Sequence, residues 1–459
     1  MPTPRSVFVC QQCGASSPRW AGQCGACETW NSLVETVVAR PPGGPRSRTA
    51  GPAHLAAATP ISSVDSAEDD RLPTGMGEVD RVLGGGLVPG SIILFGGDPG
   101  VGKSTLLLQL AARIAAAGQP VLYLSGEESA AQLRGRAGRV GAVVGGLSVV
   151  ATTELATAIA AIEAAAPALA VIDSVQTLSA DGLNGPAGSV GQVREVASRL
   201  AALAKAGRTC VALIGHVTKE GTVAGPRTLE HLVDAVLYLE GERLGSTRLL
   251  RGAKNRYGST EEVGVLEMRG DGLVEVADAS RFFLESEQPP VAGTAVTIAL
   301  EGSRPLAVEI QALTAPAAYG SPRRASAGIE TARVQMLIAV LARHAGINLA
   351  AHDTYVNVAG GLRIEEPAAD LAVAAALAST LRGQPVRSGT VLAGELSLSG
   401  RVRAAPGLER RLAEAGRLGF DRMVTGTLRH PLGPPRGPAA QLVEVPDLRR
   451  GLGEILDRP

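Results

Sequence analysis

The residues best suited to chemistry lie in the segment SIILFGGDPGVGKST, which begins at Ser91. From Gly97 it fits the pattern G-x-x-x-x-G-K-[ST], in which backbone N–H groups face a polyphosphate, a lysine neutralises its outer charge and a hydroxyl coordinates Mg²⁺. An apolar run precedes the motif and a helical pattern follows it, which argues against a chance match in a glycine-rich chain. The predicted nucleotide ligands are Gly97, Asp98, Pro99, Gly100, Val101, Gly102, Lys103, Ser104 and Thr105.

Polar residues that follow other apolar runs could complete such a site. Asp173 follows LALAVI, where a carboxylate can hold the Mg²⁺ shell opposite Ser104, although a helix cap is the alternative. Glu127 and Glu128 follow VLYLSG, and one of them could orient or deprotonate an attacking water. His216 follows CVALIG, where it could sense the terminal phosphate or simply be hydrogen-bonded. These positions predict hydrolysis of a nucleoside triphosphate.

Four of the five cysteines form two pairs near the start of the chain. Cys10 and Cys13 make one C-x-x-C turn, and Cys24 and Cys27 make a second one ten residues later. Two such turns supply the four thiolates that structural Zn²⁺ prefers, with no open position for catalysis. A disulfide pairing is the alternative, but a reducing compartment disfavours it. Cys210, in the apolar run TCVALIGH, is interpreted as a buried strand residue.

The elements that must position these residues alternate between short apolar runs and helical stretches. VLYLSGEES, LALAVIDSVQT, CVALIGHVT and AVLYLEG read as strands, which predicts an α/β fold with a mostly parallel sheet covered on both faces. A chain of 459 residues is long for one core, so we expect several units. The predicted division is a zinc-binding module over residues 1–37, a flexible linker over 38–70, a nucleotide-hydrolysing domain over 71–285 and a last domain over 286–459.

Net charge neither supports nor excludes a nucleic-acid partner, because 44 basic residues balance 44 acidic ones. Any such site must come from local loops. Two glycine-rich loops are candidates, Ser179 to Gln192 and a second one that carries Lys219 and Arg227, although both could be ordinary solvated connections. A weaker candidate, which a charged helical face explains about as well, comprises Arg134, Arg136 and Arg139.

No segment reads as a membrane anchor or a secretory signal. The N-terminal residues MPTPRSVFVC lack an apolar core, and the most apolar later stretch is interrupted by Glu163 and Pro167. We therefore expect a cytoplasmic protein that makes no membrane contact.

Several motifs, taken in their order along the chain, carry a family resemblance. They are the cysteine pairs with SPRWAGQCGACETWNSLVE, then GGDPGVGKST, YLSGEES, IDSVQT, GHVTKEGTVAGP and KNRYG at Lys254 to Gly258. Together they resemble the RadA (Sms) family of bacterial DNA repair proteins over nearly the whole chain. That family usually has KNRFG, so Tyr257 is a conservative departure.

The resemblance implies a RecA-like P-loop ATPase that assembles as a hexameric ring similar to the DnaB helicase. It implies Glu127 as the catalytic glutamate, with Glu128 as second choice. It also implies that Lys254 and Arg256 serve the nucleotide of a neighbouring subunit, where cations stabilise developing phosphate charge.

From about Ser286 the chain resembles an α+β Lon-protease domain of the ribosomal S5 domain 2-like class. Lon proteases carry a serine in a G-P-S-A-G run and a lysine in a G-G-L-K run. The corresponding residues here are Ala368 and Glu409, so the nucleophile and its base are both missing. We expect a scaffold that joins subunits or touches DNA.

The leading hypothesis is therefore a Mg-ATP-driven motor of recombinational repair that binds Zn²⁺ in its N-terminal module. Its expected partners are single-stranded and branched DNA, a RecA-type recombinase and further copies of itself. The alternative is an ATP-gated scaffold that holds DNA or a recombinase without translocating. An ATP-dependent protease is disfavoured because it would need a nucleophile.

Overall fold

A computed structural model describes residues 5–10, 16–30, 32–38, 70–183, 185–215, 229–241, 245–284, 291–317, 322–433 and 437–457. The chain forms two compact units. The first comprises Met1–Arg243, Arg248–Thr260 and Met268–Glu275, and the second comprises Leu244–Thr247, Glu261–Glu267 and Val276–Pro459. We keep the four-part division predicted from the sequence as a proposal.

The N-terminal segment is a small antiparallel ribbon. Its three strands lie in the order β2-β1-β3, and Cys10 pairs with Leu33 across the ribbon. Cys10, Cys24 and Leu33 are buried together as its core. The strands are β1 (Arg5–Cys10), β2 (Ser16–Ser17) and β3 (Leu33–Val38).

The large sheet carries the nucleotide-binding motif. Its strands are β4 (Ile92–Gly96), β5 (Val121–Ser125), β6 (Leu147–Ala151), β7 (Leu169–Asp173), β8 (Cys210–Ile214), β9 (Ala235–Glu240), β10 (Thr247–Asn255), β11 (Val263–Arg269) and β12 (Gly272–Glu275). Their order is β12-β11-β10-β9-β4-β8-β7-β5-β6. Six neighbouring strands are parallel, namely β9, β4, β8, β7, β5 and β6. The predicted α/β fold with a mostly parallel sheet is therefore confirmed.

Helices connect the parallel strands and bury apolar faces against them. The connecting helices are α2 (Lys103–Ala116), α3 (Ala130–Arg139), α4 (Leu155–Ala165) and α5 (Val190–Ala206). Helix α1 (Gly77–Leu83) precedes β4, and a short α6 (Ala279–Phe282) follows in the second unit. The central strands β4, β5, β7 and β8 are buried along their whole length. Because β4, β5, β7 and β8 are parallel, their carboxyl ends bring the loops that follow them to one edge of the sheet.

The second unit is built on a seven-stranded mixed sheet in the order β15-β16-β14-β13-β17-β20-β21, beside a hairpin of β18 and β19. Its strands are β13 (Thr294–Glu301), β14 (Arg304–Pro316), β15 (Arg324–Ala327), β16 (His352–Val358), β17 (Thr390–Leu392), β18 (Gly394–Leu396), β19 (Val402–Ala404), β20 (Arg422–Gly426) and β21 (Gln441–Val445). Its helices are α7 (Thr331–Val340), α8 (Asp370–Arg382), α9 (Leu408–Arg417) and α10 (Leu448–Ile455). The buried helix α8 packs against β13 and β14.

Within the part of the chain that the structure describes, no helix combines the length and the apolar composition needed to cross a membrane.

Candidate active site

The glycine-rich loop links β4 to α2 at the carboxyl edge of the large sheet. Gly97 has a φ of +145°, and a Cβ there would lie 2.4 Å from the carbonyl oxygen of Leu239, so this turn requires glycine. The helix then begins at Lys103, after Gly102 in the left-handed region. The unpaired N–H groups of the first helical turn thus face the loop, as an anion site requires.

Lys103 is buried beneath this loop. Its Nζ donates to the carbonyl oxygens of Gly97 at 2.8 Å and Asp98 at 3.0 Å. Burial lowers the pKa of Lys103, while the charges of Asp173, Asp98 and Glu127 oppose that shift. The side chain is therefore fixed inside a loop shaped for phosphate and surrounded by three carboxylates.

Asp173 ends β7 and forms the centre of a polar cluster. The Ser104 hydroxyl donates to Asp173 Oδ1 at 3.2 Å, and the Tyr123 hydroxyl donates to Oδ2 at 2.6 Å. Arg136 Nη2 lies 3.3 Å from the same Oδ2. Burial and the nearby Asp173 charge raise the pKa of Tyr123 well above its usual value, so Tyr123 stays a proton donor to the carboxylate.

The two glutamates after β5 have different surroundings. Glu127 is exposed, and its Oε1 accepts a hydrogen bond of 2.7 Å from the hydroxyl of Ser174, the residue after Asp173. Glu128 instead contacts Arg136 Nη2 at 2.7 Å. Of the two carboxylates, Glu127 is thus the one that faces solvent beside Lys103.

Ser104 and Asp173 are suited to Mg²⁺. Their side-chain oxygens lie 3.2 Å apart, and a hydroxyl with a carboxylate is the hard-oxygen pair by which Mg²⁺ is usually held, together with water and phosphate.

The Lys254–Gly258 motif lies at the opposite edge of the sheet. Asn255, at the end of β10, pairs with Ala235 in β9, and Ala235 pairs with Ile93 near the start of β4. The phosphate loop begins at Gly97, beyond the far end of β4, so at about 3.3 Å per residue the two motifs are separated by roughly 13 Å along the strand direction. The structure therefore does not bring Lys254 and Arg256 to the phosphate loop of the same chain.

The two cations of this motif have different contacts. Lys254 Nζ donates to the carbonyl oxygens of Glu230 and Val233, the latter at 2.8 Å, and burial lowers the pKa of Lys254. Arg256 is 53% exposed and forms an ion pair of 3.0 Å with the buried Asp234. Lys254 thus fixes the local backbone, whereas Arg256 reaches the surface.

The loop from Ser179 to Gln192 is organised by a buried side chain. The Gln192 amide accepts from the Ala180 N–H at 2.8 Å and donates to the carbonyl oxygens of Ala180 and Leu183 at 3.3 and 3.2 Å. His216, Lys219 and Arg227 belong to 216–228, which lies outside the described residues.

Three of the four predicted zinc ligands lie together in the ribbon. The sulfur atoms of Cys10, Cys24 and Cys27 all lie within 4.8 Å of one another, and those of Cys10 and Cys27 are 3.6 Å apart. Tetrahedral Zn²⁺ with Zn–S bonds of about 2.3 Å sets its sulfur ligands about 3.8 Å apart, so the cluster fits this metal. Cys13 belongs to residues 11–15, which the structure does not describe.

The remaining cysteine is confirmed as a core residue. Cys210 is buried beside the Ser91 hydroxyl, and burial raises the pKa of its thiol to about 12.

Three family models match successive parts of the chain. A model described as a rubredoxin metal binding domain matches residues 8–35, an AAA domain matches residues 58–222, and a model of subunit ChlI of Mg-chelatase matches residues 313–427. The DNA repair protein RadA of Halalkalibacterium halodurans is 46% identical over 424 residues, which cover 92% of this chain and 93% of that protein. The chain belongs to the RadA family.

A second curated relative and one solved structure are also similar to this chain. RadA of Mycobacterium tuberculosis is 48% identical over 422 residues, which cover 92% of this chain and 88% of that protein. A crystal structure of a KaiC-like protein from Pyrococcus horikoshii OT3 matches 45% of this chain and 98% of its own with 21% identity and a TM-score of 0.38. An AAA domain spans the phosphate loop of this RadA-family chain, which is therefore an ATPase of DNA repair.

The sequence did not place Tyr123 or Arg136 at this site, and it offered Arg136 only as a weak nucleic-acid candidate. Both touch Asp173, and Arg136 also reaches Glu128. A signal for Arg136 was present, because it shares one helical face with the buried residues Leu133 and Ala137 of α3.

At the positions that correspond to the Lon dyad, Ala368 is buried and Glu409 is exposed. Nearby, Arg411 is fully buried and forms two parallel hydrogen bonds, of 2.8 and 2.6 Å, to the carboxylate of Glu366. The guanidinium also donates to the carbonyl oxygens of Ile298 and Pro406. A guanidinium that is hydrogen-bonded in this way holds the surrounding backbone in place.

Proposed function

We propose that this member of the RadA family is a DNA-dependent ATPase motor that binds single-stranded DNA and drives branch migration at recombination intermediates, as a homo-hexamer acting with a RecA-type recombinase. One observation carries the proposal: the phosphate loop and the KNRYG motif lie at opposite edges of one sheet. A subunit therefore offers one half of an ATPase site at each edge, which suits a ring whose hydrolysis depends on assembly.

The roles of the residues at the phosphate loop follow from their contacts. Lys103 neutralises charge on the outer phosphates, and Ser104 with Asp173 holds Mg²⁺. When bound, Mg²⁺ neutralises charge that develops on the phosphate oxygens. Glu127 orients the attacking water and accepts its proton, because it is the exposed carboxylate beside Lys103 and Ser174 positions it through a hydrogen bond.

Arg256 completes the site of a neighbouring subunit. Its exposed guanidinium lies at the edge remote from its own nucleotide, and its ion pair with Asp234 orients it. Lys254 supports Arg256 by fixing the backbone at Glu230 and Val233.

Arg136 is a positioning residue for the carboxylates. Arg136→Ala is expected to raise the Mg²⁺ concentration for half-maximal ATPase about tenfold, because outer-shell partners of metal ligands typically contribute 10–100-fold to affinity or activity. The measurement is a Mg²⁺ titration of ATPase rate at saturating ATP. Arg134→Ala, an exposed position of the same helix, is the matched control. If the two variants gave the same Mg²⁺ curve, Arg136 would have no positioning role.

The cysteine cluster is expected to hold structural Zn²⁺. Replacing both Cys24 and Cys27 by serine should remove zinc entirely and unfold the ribbon, because metal binding supplies the folding free energy of such small modules. Elemental analysis measures the zinc, and calorimetry should show that the main unfolding transition persists. Full zinc content in the double variant would contradict the assignment.

The proposed motor is tested by ATPase assays with and without single-stranded DNA, beside branch migration on a synthetic three-strand junction. We expect DNA to stimulate hydrolysis and ATP to drive branch movement. Stimulated hydrolysis with a stationary branch would favour an ATP-gated scaffold that holds DNA or a recombinase without translocating. Hydrolysis indifferent to DNA would overturn both.

A further inference from the structure

The ribbon displays the only two tryptophans of this aromatic-poor chain. Trp20 is 59% exposed and Trp30 is 69% exposed. Burying large aromatic rings is strongly favourable, so a small module that leaves both indoles in solvent forgoes a large part of its potential core. We therefore expect the two exposed rings to contact a binding partner.

Gly22 lies close to both indole rings. A Cβ at this position would be 3.5 Å from Cζ3 of Trp30 and 4.0 Å from Cη2 of Trp20, so these two ring edges are at most about 7.5 Å apart. Because Gly22 has no side chain, nothing from that residue covers these ring edges. The two rings are close enough to contribute to one stacking surface.

The backbone fixes both tryptophans. Trp30 pairs with Gln23, and the N–H of Cys24 donates to the carbonyl oxygen of Thr29 at 3.0 Å, so Trp30 follows the metal-binding turn directly. On the other side, the hydroxyl of Ser17 donates to the carbonyl oxygen of Arg19 at 2.7 Å, immediately before Trp20. The backbone segments that carry the two rings are therefore ordered by hydrogen bonds.

We infer that Trp20 and Trp30 form a stacking platform for the bases of single-stranded DNA. Indole faces stack on any base and require no sequence, which suits a repair protein that meets arbitrary sequences. The exposed Arg19, next to Trp20, supplies a cation for the phosphate that follows the stacked base. This inference rests on the proposed binding of single-stranded DNA and assigns part of that binding to the ribbon.

The surroundings of the rings favour a nucleic acid over a protein segment. Among the described residues, Arg19 and Ala21 flank Trp20 and Gln23 pairs with Trp30, and all three are exposed and small or polar. A protein docking site would need a continuous apolar patch around its anchor residues. Stacking needs only the two ring faces and a nearby positive charge.

The test uses the two tryptophans as their own probes. Because both lie in the ribbon, the intrinsic tryptophan fluorescence of the full chain reports on this surface alone. Titration with an oligothymidylate should quench that fluorescence, at the same concentrations at which the anisotropy of a labelled oligothymidylate reports binding. Binding without quenching would overturn the stacking platform and leave the proposed function intact. Absence of any binding would overturn the proposed function itself.

Substitutions test the two rings and Gly22, and zinc content tests whether each variant still folds. Trp20→Ala, Trp30→Ala and Gly22→Leu, which adds bulk against both rings, should each weaken oligothymidylate affinity about tenfold. Gly25→Leu is the bulk-matched control, because a Cβ at Gly25 meets nothing within 4 Å. Zinc content equal to that of the unmodified protein shows that the ribbon of each variant is folded. Unchanged affinity in zinc-replete Gly22→Leu and Trp30→Ala, or quenching by a recombinase but not by DNA, would contradict the inference.

Discussion

Lys103→Ala is expected to reduce ATP hydrolysis at least about 1000-fold, which is the scale of a charge that stabilises the transferring phosphoryl group. The Lys103 ammonium is buried beneath the phosphate loop, where two carbonyl oxygens hold it in position to neutralise phosphate charge. Steady-state phosphate release at saturating Mg-ATP measures the effect.

Two controls accompany this variant. Lys205→Ala removes an exposed cation from the end of α5 and should leave turnover unchanged. Thermal unfolding of Lys103→Ala should match that of the unmodified protein. Near-normal turnover in Lys103→Ala would remove the phosphate loop from the mechanism.

Arg256→Ala is expected to lower turnover by about 1000-fold while changing ATP affinity little, as a cation supplied by a neighbouring subunit would. Turnover is measured by phosphate release, and affinity by binding of a fluorescent ATP analogue. Arg251→Ala is a matched control, because Arg251 lies on β10, the strand that immediately precedes Arg256, and pairs with Glu240. Equal losses of affinity and turnover would argue against a role in the transition state.

Mixing the two inactive variants tests whether the site is shared. An interface that joins an intact Lys103 from one subunit to an intact Arg256 from the next forms in roughly a quarter of positions in a random equimolar assembly, so about that fraction of activity should return. Each variant alone should stay inactive at the same total concentration. If no activity returned after subunit exchange, both groups would have to act within one chain.

The sequence predicted the nucleotide edge of the sheet better than the side chains that support it. Glycines, Lys103 and Asp173 are recognisable because chemistry requires those residue types at the ends of apolar strands. Tyr123 and Arg136 carry no such signature. A buried hydroxyl in an apolar strand needs a partner, which was a usable clue to Tyr123.

Elsewhere the decisive information is three-dimensional. The sequence shows that Ala368 and Glu409 replace a dyad, but not that Arg411 and Glu366 fill the neighbouring interior with an ion pair. Likewise, KNRYG could be recognised from the resemblance, whereas its distance from the phosphate loop depends on the antiparallel return of β10 along β9. Pairing between strands that are distant in the chain leaves no local pattern in the sequence.

The separation of the phosphate loop from Arg256 gives the proposed assembly a polarity. Each subunit would present a receiving edge and a donating edge, so contacts between subunits would be heterologous and would join unlike surfaces. Each contact between successive subunits adds the same rotation. An open row of subunits therefore keeps one incomplete ATPase site at its end, until the donating edge of one terminal subunit meets the receiving edge of the other. Closure would then be what makes every site equivalent, and the number of working sites would equal the number of subunits only in a closed ring.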